Sequence, residues 1–181
     1  MSKVTIAGDV NGTGVFTIAA PNGNTNRTLV LPDEAGTILT TATAGVPIGG
    51  PAFSAYTTAA QTLSAGSTTK IVFPTELWDT NNNFASSRFT PTVAGYYQLN
   101  VNVGIASGQS GQLLIGIRKN GSVYKHLMDE ASFTYGLIGG CLVEANGSTD
   151  YFEVYIYTAN GFSVSNIAEY TWFDGAMVRS L

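Results

Sequence analysis

The chain has 181 residues, a net charge of −4 and only 11% charged residues, well below the roughly 25% typical of soluble domains. This balance argues against nucleic-acid binding, and no window approaches the roughly 18 consecutive apolar residues of a membrane-spanning helix. Hydrophobic residues make up 44% of the sequence and glycine contributes 21 residues, so we expect a folded protein built from strands and turns.

The pattern of short apolar segments in residues 1–41 predicts a small β-arm. The segments VTIAG, GVFTIAAP, RTLVLP and GTILTT are each bounded by Gly, Pro or Asn, as strands are. About forty residues cannot bury enough apolar surface to fold alone without a metal or a disulfide. We therefore expect the arm to pack by association, through the side chains Phe16, Ile18, Leu29, Leu31 and Ile38. No basic-then-apolar run opens the sequence, so we expect no secretory signal.

Residues 42–50 predict a linker of small residues, and residues 51–181 predict an all-β domain. About ten short segments there alternate apolar with polar residues, YYQLNVNVGI being the clearest. Asn-Gly pairs at 120–121, 146–147 and 160–161 favour tight hairpins, because both residue types tolerate a positive φ. No helical periodicity interrupts the pattern, which indicates a β-sandwich or jelly roll.

Candidate catalytic and metal-binding residues are sparse. His126 is the only histidine, and nothing near it completes a Ser-His-Asp triad. Phosphate-loop, HExxH and CxxC motifs are absent, and the sequence forces no carboxylate pair to the separation that a glycosidase needs. The stretch WDTNNNF (78–84) holds the single acid Asp79, so we favour a solvated loop over a calcium site there. We expect no enzymatic activity and no cofactor.

One predicted strand is apolar on both faces. Tyr155 and Tyr157 share one face, and Phe152, Val154 and Ile156 share the other. A strand of this kind is buried on both faces, whereas one face of each sheet in a lone sandwich meets water. Exposed tyrosine-rich patches commonly mark interfaces. The pattern therefore predicts an oligomer.

Four segments of the predicted head resemble the globular head domain of the complement first component's q subcomponent, a relative of tumour necrosis factor. They are PAFSAY (51–56), SRFTPTVAGYYQLNVNV (87–103), IRKNGSVY (117–124) and YTWFDGAMV (170–178), and they occur in that family's order. One departure is VAGYY, which lacks the Pro that usually precedes the Gly-Tyr pair. No collagen repeat accompanies the head, so a complement or hormone role is not implied.

The resemblance implies a ten-stranded jelly roll that assembles as a homotrimer, with aromatic residues of one sheet facing the threefold axis. The trimer-interface candidates are therefore Phe53, Tyr97, Tyr155, Tyr157 and Trp172.

The arm resembles segments of bacteriophage tail fibres and related virion proteins, through TIAAPNGNTNRTLVLPDEAGTILTT (17–41). Together the two resemblances imply a virion structural protein, a capsid decoration or head-fibre trimer whose arm binds the major capsid protein or another virion protein. The alternative is a tail-fibre or receptor-binding tip that recognises a host surface glycan or protein. Its candidate contacts are Trp78, Asn82, Phe84, Asn160 and Phe162. A glycan-degrading enzyme is a third hypothesis, and it lacks a forced carboxylate pair.

Overall fold

The computed structural model describes residues 10–13, 17, 23, 50–106, 109–133 and 136–181. The chain divides into two compact units, Met1–Thr37 and Ile38–Leu181. The side chains predicted to pack in the arm (Phe16, Ile18, Leu29, Leu31 and Ile38) lie outside the described residues, as does the predicted linker up to Gly49. Their roles stay predictions.

All regular elements within the described residues are β-strands, which confirms the all-β prediction. In chain order they are β1 (Ala52–Tyr56), β2 (Gln61–Leu63), β3 (Ser67–Lys70), β4 (Thr75–Asp79), β5 (Phe84–Ala85), β6 (Arg88–Phe89), β7 (Ala94–Gly104), β8 (Gln109–Lys119), β9 (Ser122–Phe133), β10 (Gly136–Asn146), β11 (Phe152–Thr158), β12 (Phe162–Val164) and β13 (Thr171–Ser180). The described part thus holds more strands than the ten predicted, because several span only two or three residues, too few for alternation to reveal.

The strands form two antiparallel sheets. The first sheet has the order β10-β7-β13-β1-β4, and the second has the order β5-β6-β11-β8-β9 with β3 also paired to β11. A two-stranded ribbon joins β12 to β2. Several neighbouring strands are far apart in sequence, as β13 lies between β1 and β7, whereas β5-β6 and β8-β9 are consecutive hairpins. This arrangement confirms the jelly-roll sandwich.

Aromatic side chains from both sheets meet in the core. Phe53 of β1 stacks on Phe84 and Phe89 of the second sheet, with ring centroids 4.7 and 4.5 Å apart. Phe173 of β13 meets Phe53 edge-on at 4.9 Å. These side chains are buried almost completely, and such aromatic pairs stabilise a core beyond the apolar area they remove from water. The two sheets are therefore held face to face by aromatic packing.

The three Asn-Gly pairs that predict tight hairpins have different backbone conformations in the structure. Asn120 and Gly121 have φ of 54° and 81°, the left-handed values of a tight turn joining β8 to β9. Gly147 has φ of 72°. Neither Asn160 nor Gly161 has a positive φ, so the prediction of a tight turn there is wrong. Asn160 instead donates from Nδ2 to the Ser110 carbonyl at 2.7 Å, which ties this turn to β8.

Candidate functional site

The outer face of the first sheet carries large apolar side chains that the chain leaves uncovered. The strand register places Tyr56 beside Trp172 and Ile138 in the same row. Tyr96, Ile138 and Leu142 are exposed by 37%, 58% and 53%. We call this surface the first-sheet face. Large apolar side chains gathered on one exposed sheet face mark an interaction site more often than single scattered ones do.

A polar row crosses the middle of the first-sheet face. Gln98 Nε2 donates to Asn100 Oδ1 at 2.9 Å, and Asn100 Nδ2 donates to Asp174 Oδ1 at 3.1 Å. The row that contains Asp174 and Asn100 runs from Gly140 at one end, through Ser54, to Trp78 at the other end. The middle of the row is therefore polar, between Gly140, which has no side chain, and the exposed Trp78.

Burial raises the pKa of Asp174 above its ordinary value, and the hydrogen bond from Asn100 lowers that pKa only in part. This half-buried carboxylate receives one amide donor and forms no ion pair within the described part of the chain. It keeps its proton more readily, because the charged form is poorly solvated. Any partner that covers the first-sheet face must accommodate this group.

The structure corrects two of the five trimer-interface candidates. Phe53 and Tyr97 are fully buried inside the single chain, and the Tyr97 hydroxyl donates to the Val93 carbonyl at 2.6 Å. A side chain with no exposed surface has none to offer a second protomer. Alternation along β1 and β7 directs Phe53 and Tyr97 inward and their neighbours outward.

The other three candidates remain partly exposed, but they do not share a surface. Trp172 lies on the first-sheet face, next to the inward-facing Phe173. Tyr155 and Tyr157 lie on the outer face of the second sheet, alternating with the buried Val154 and Ile156. Since the two outer faces of a sandwich point in opposite directions, the structure does not bring these three aromatic residues together.

The outer face of the second sheet contains a groove, which we call the tyrosine groove. It is lined by Leu114, Gly116, Arg118, His126, Tyr155 and Tyr157. Gly116 pairs with Tyr155 on one side and His126 on the other, so the floor lacks a side chain between them. The Arg118 guanidinium lies over the Tyr155 ring, 4.0 Å from its centroid, in cation–π geometry.

Beside the groove, Glu153 joins two cations. Its Oε1 accepts from Lys70 Nζ at 2.7 Å and from Arg88 Nε at 2.9 Å. Burial alone raises the pKa of Glu153, but the hydrogen bonds and charges of Lys70 and Arg88 together hold it below its ordinary value. Arg88 also lies 3.8 Å over the Tyr151 ring. The triad links β3, β6 and β11.

The predicted contact loops divide between surface and core. Trp78 is 45% exposed, and Asn82 and Asn160 lie at the surface, so all three are accessible. Phe84 and Phe162 are buried, which corrects their assignment as contact residues. The reason is pairing: Phe84 enters β5 opposite Phe89, and Phe162 enters β12 opposite Leu63.

The loop after β4 is closed by its own acid. Asp79 Oδ1 accepts from the Asn81 amide at 3.3 Å and Oδ2 accepts from the Phe84 amide at 2.7 Å. Asn82 adopts φ of 54°, and the Asn83 side chain accepts from the Thr92 amide at 3.0 Å. The described residues hold no group of three or more His, Cys, Asp or Glu side chains arranged for a metal ion. The carboxylate of Asp79 therefore acts as a loop-closing acceptor.

Sequence reasoning missed most of the first-sheet face. Ile138 and Leu142 belong to GLIGGCL (136–142), where Leu137 faces the core and Ile138 faces outward. Apolar residues on both sides of one strand are the signal that singled out β11, and it would have found β10 as well. Among the described residues, no helix is long and apolar enough to cross a membrane.

Solved structures with this fold come from different kinds of protein. The globular domain of the zebrafish complement 1qA protein is 18% identical, covers 73% of this chain and 99% of its own, and has a TM-score of 0.52. Murine APRIL is 9% identical, with 71% and 98% covered and a TM-score of 0.53. PRD1 vertex protein P5, from a phage, is 14% identical, with 71% and 97% covered and a TM-score of 0.50.

No protein-family model and no curated protein matches the chain. At identities below one in five, the similarity to solved structures shows the complement-head and tumour necrosis factor-like jelly roll, and the fold alone does not determine function.

Proposed function

We propose that this chain is a bacteriophage virion structural protein whose jelly-roll head forms a homotrimer on the particle surface, as a capsid decoration protein or head fibre. The observation that carries the proposal is the first-sheet face, where Tyr96, Ile138 and Leu142 are exposed together on one sheet. Burial of these side chains against neighbouring copies of the chain removes apolar surface from water, which favours a closed, symmetric oligomer.

Two further observations support a virion role. PRD1 vertex protein P5 has the same fold as the described head, so a jelly roll of this size serves in at least one phage particle. Residues 17–41 resemble segments of phage fibre proteins. In this proposal residues 1–41 bind the major capsid protein or another virion protein, and the protein acts in the virion by binding, without catalysis.

A second candidate function is a tail-fibre or receptor-binding tip that recognises a host glycan or protein. The observation that favours it is the accessible Trp78 on β4, next to Leu77, which is 68% exposed. Exposed aromatic residues are enriched where a protein binds a partner. Copy number separates the two functions, because a decoration protein is present in hundreds of copies per virion and a tail fibre in tens or fewer.

Self-association is tested with the full chain and the double variant Ile138→Lys/Leu142→Lys. We expect the natural protein to sediment as a trimer at micromolar concentration and the variant as a monomer, because desolvating lysines in an apolar interface is costly. Ser122→Lys, at the exposed start of β9, adds positive charge elsewhere and should remain trimeric. A monomeric natural protein, or a trimeric double variant, would contradict the assembly.

Attachment is tested on particles. We expect antibody against the head to label the capsid of virions that carry the natural chain, and label to disappear when Leu29 and Leu31 are both replaced by Asp. Label confined to the tail tip would favour the receptor-binding function, and undiminished labelling of the variant would remove the arm as the anchor.

A further inference from the structure

The tyrosine groove offers a cation, Arg118, that forms no ion pair among the described residues. Three ion pairs form among the described residues, between Lys70 or Arg88 and Glu153 and between Lys119 and Asp150. Arg118 takes part in none of them, although the chain as a whole carries a net charge of −4. Its guanidinium carbon lies over the Tyr155 ring, 4.0 Å from the centroid, and this contact restrains the side chain while leaving guanidinium N–H groups to donate.

The charges around the groove are arranged along its length. Arg118 lies toward one end, where its register partner Glu153 is already paired with Lys70 and Arg88. At the other end Leu114 pairs with Asp129. The Asp129 carboxylate accepts from Gln112 Nε2 at 3.0 Å through both oxygens. An anionic ligand is therefore directed toward Arg118 and away from Asp129, which gives the groove a defined polarity.

The size and floor of the groove favour a single saturated ring. Its volume of about 180 Å³ is below the roughly 300–1,000 Å³ of sites for drug-sized molecules. Tyr157 presents a second ring beside the side-chain-free floor at Gly116. The faces of aromatic rings carry negative charge density, which attracts the polarised C–H groups on one side of a sugar ring.

Peptide binding fits the groove less well. Its floor is formed by β8 and β11, which pair with each other, and β8 also pairs with β9. Their backbone groups are used within the sheet, so an extended peptide finds no free edge to which it can add a strand. A ligand here must be recognised by side chains.

We propose that the tyrosine groove binds an acidic monosaccharide unit at the end of a glycan. The sugar ring packs on Tyr157, and its carboxylate accepts two hydrogen bonds from the Arg118 guanidinium, the pairing that Arg makes best. His126 and Thr68, on the walls, donate to or accept from the hydroxyl groups. The groove lies opposite the first-sheet face, so self-association through that face leaves it accessible. The proposal does not depend on the virion role.

The test compares two sugars that differ only at C6. The full chain is titrated with galacturonate and with galactose, and binding is followed by saturation-transfer difference NMR. We expect galacturonate to bind about tenfold or more tightly than galactose, because one charge-assisted pair forms with the first sugar alone. Arg118→Gln should abolish the difference, and Arg118→Lys should keep only part of it, since lysine lacks the planar fork.

Lys125→Gln is the matched control. It removes the same charge from the adjacent strand, and its register partner Ile117 faces the core, so Lys125 points away from the groove. Its preference for galacturonate should be unchanged. Equal binding of the two sugars, no binding of either, or a preference that survives Arg118→Gln in a folded variant would overturn the proposal. Acetate or an acidic peptide that displaces galacturonate at lower concentration than the sugar itself would overturn the glycan assignment.

Discussion

Each outer face of the sandwich carries a carboxylate in the middle of its sheet, and the two carboxylates have opposite surroundings. Glu153, on the second sheet, binds Lys70 and Arg88 and has a lowered pKa. Asp174, on the first sheet, receives a hydrogen bond from Asn100 and has a raised pKa. Both groups are removed from water, so the difference comes from the neighbours and not from the depth of burial.

The different surroundings of the two carboxylates indicate different roles for the two outer faces. The second sheet pairs its buried carboxylate with two cations of the same chain. The first-sheet face leaves a carboxylate without a cation and large apolar side chains without cover. A surface that is incomplete in both respects is better suited to meeting another protein surface than to meeting water.

The variant with the largest expected effect tests whether Phe53 is a core residue or a residue of the first-sheet face. Phe53→Ala should lower the free energy of unfolding by about 3–5 kcal/mol, because it leaves a cavity between the sheets. Trp172→Ala, on the first-sheet face, should lower it by about 1 kcal/mol and act mainly on self-association. Urea denaturation and sedimentation measure the two quantities. Similar losses of folding stability would break the distinction between core and face.

The next effect compares the two carboxylates directly. Glu153→Gln removes the shared partner of Lys70 and Arg88 and should cost about 2 kcal/mol, less than a fully buried pair because both cations reach solvent. Asp174→Asn keeps the shape and removes a poorly solvated charge, so the free energy of unfolding at neutral pH should stay the same or rise slightly. Destabilisation of equal size in both variants would contradict the contrast.

Glu153 and Asp174 should contribute in opposite directions to the change of folding stability with pH. The lowered pKa of Glu153 contributes stability above its unfolded value of about 4.3, and that stability is lost as pH falls through the folded pKa below it. Asp150 contributes to stability in the same direction. Burial raises its pKa, but Lys119, Asn120 and Asn146 lower the pKa by more, so the net shift is downward.

The raised pKa of Asp174 acts in the other direction. The folded state binds its proton more tightly, so this group favours folding at low pH, and that contribution is lost as pH rises from about 3.9 through the folded pKa. The free energy of unfolding should therefore be measured between pH 3 and 7. On acidification it should fall less in Glu153→Gln than in the natural chain, and more in Asp174→Asn. The same pH profile in both variants and the natural chain would refute these signs.

The smallest expected effect separates a core tyrosine from the groove tyrosines. Burial raises the pKa of Tyr97 to about 12, and its hydroxyl binds the Val93 carbonyl. Tyr97→Phe should cost about 0.5–1.5 kcal/mol. Tyr157→Phe, at the groove, should leave the free energy of unfolding nearly unchanged, because that hydroxyl is within reach of water. Thermal unfolding of the two variants makes the comparison, and a larger loss in Tyr157→Phe would reverse it.

Local sequence patterns determined the fold class and one turn. Alternation in YYQLNVNVGI becomes β7 (Ala94–Gly104), and Asn120-Gly121 becomes the tight turn after β8. These features depend on residues close together in the chain, where propensity and turn chemistry act directly. The very short strands β5 and β6 were beyond such patterns, because two residues show no period.

Alternation in the sequence also placed tyrosines on one side of β11 and apolar residues on the other. It did not decide which aromatic residues face inward: alternation has a period of two but no fixed phase, so Phe53 and Tyr97 could not be told from Trp172. Only the tertiary structure joined Glu153 to Lys70 and Arg88, 83 and 65 residues away in the chain. Long-range strand order places such side chains together, and no local pattern encodes it.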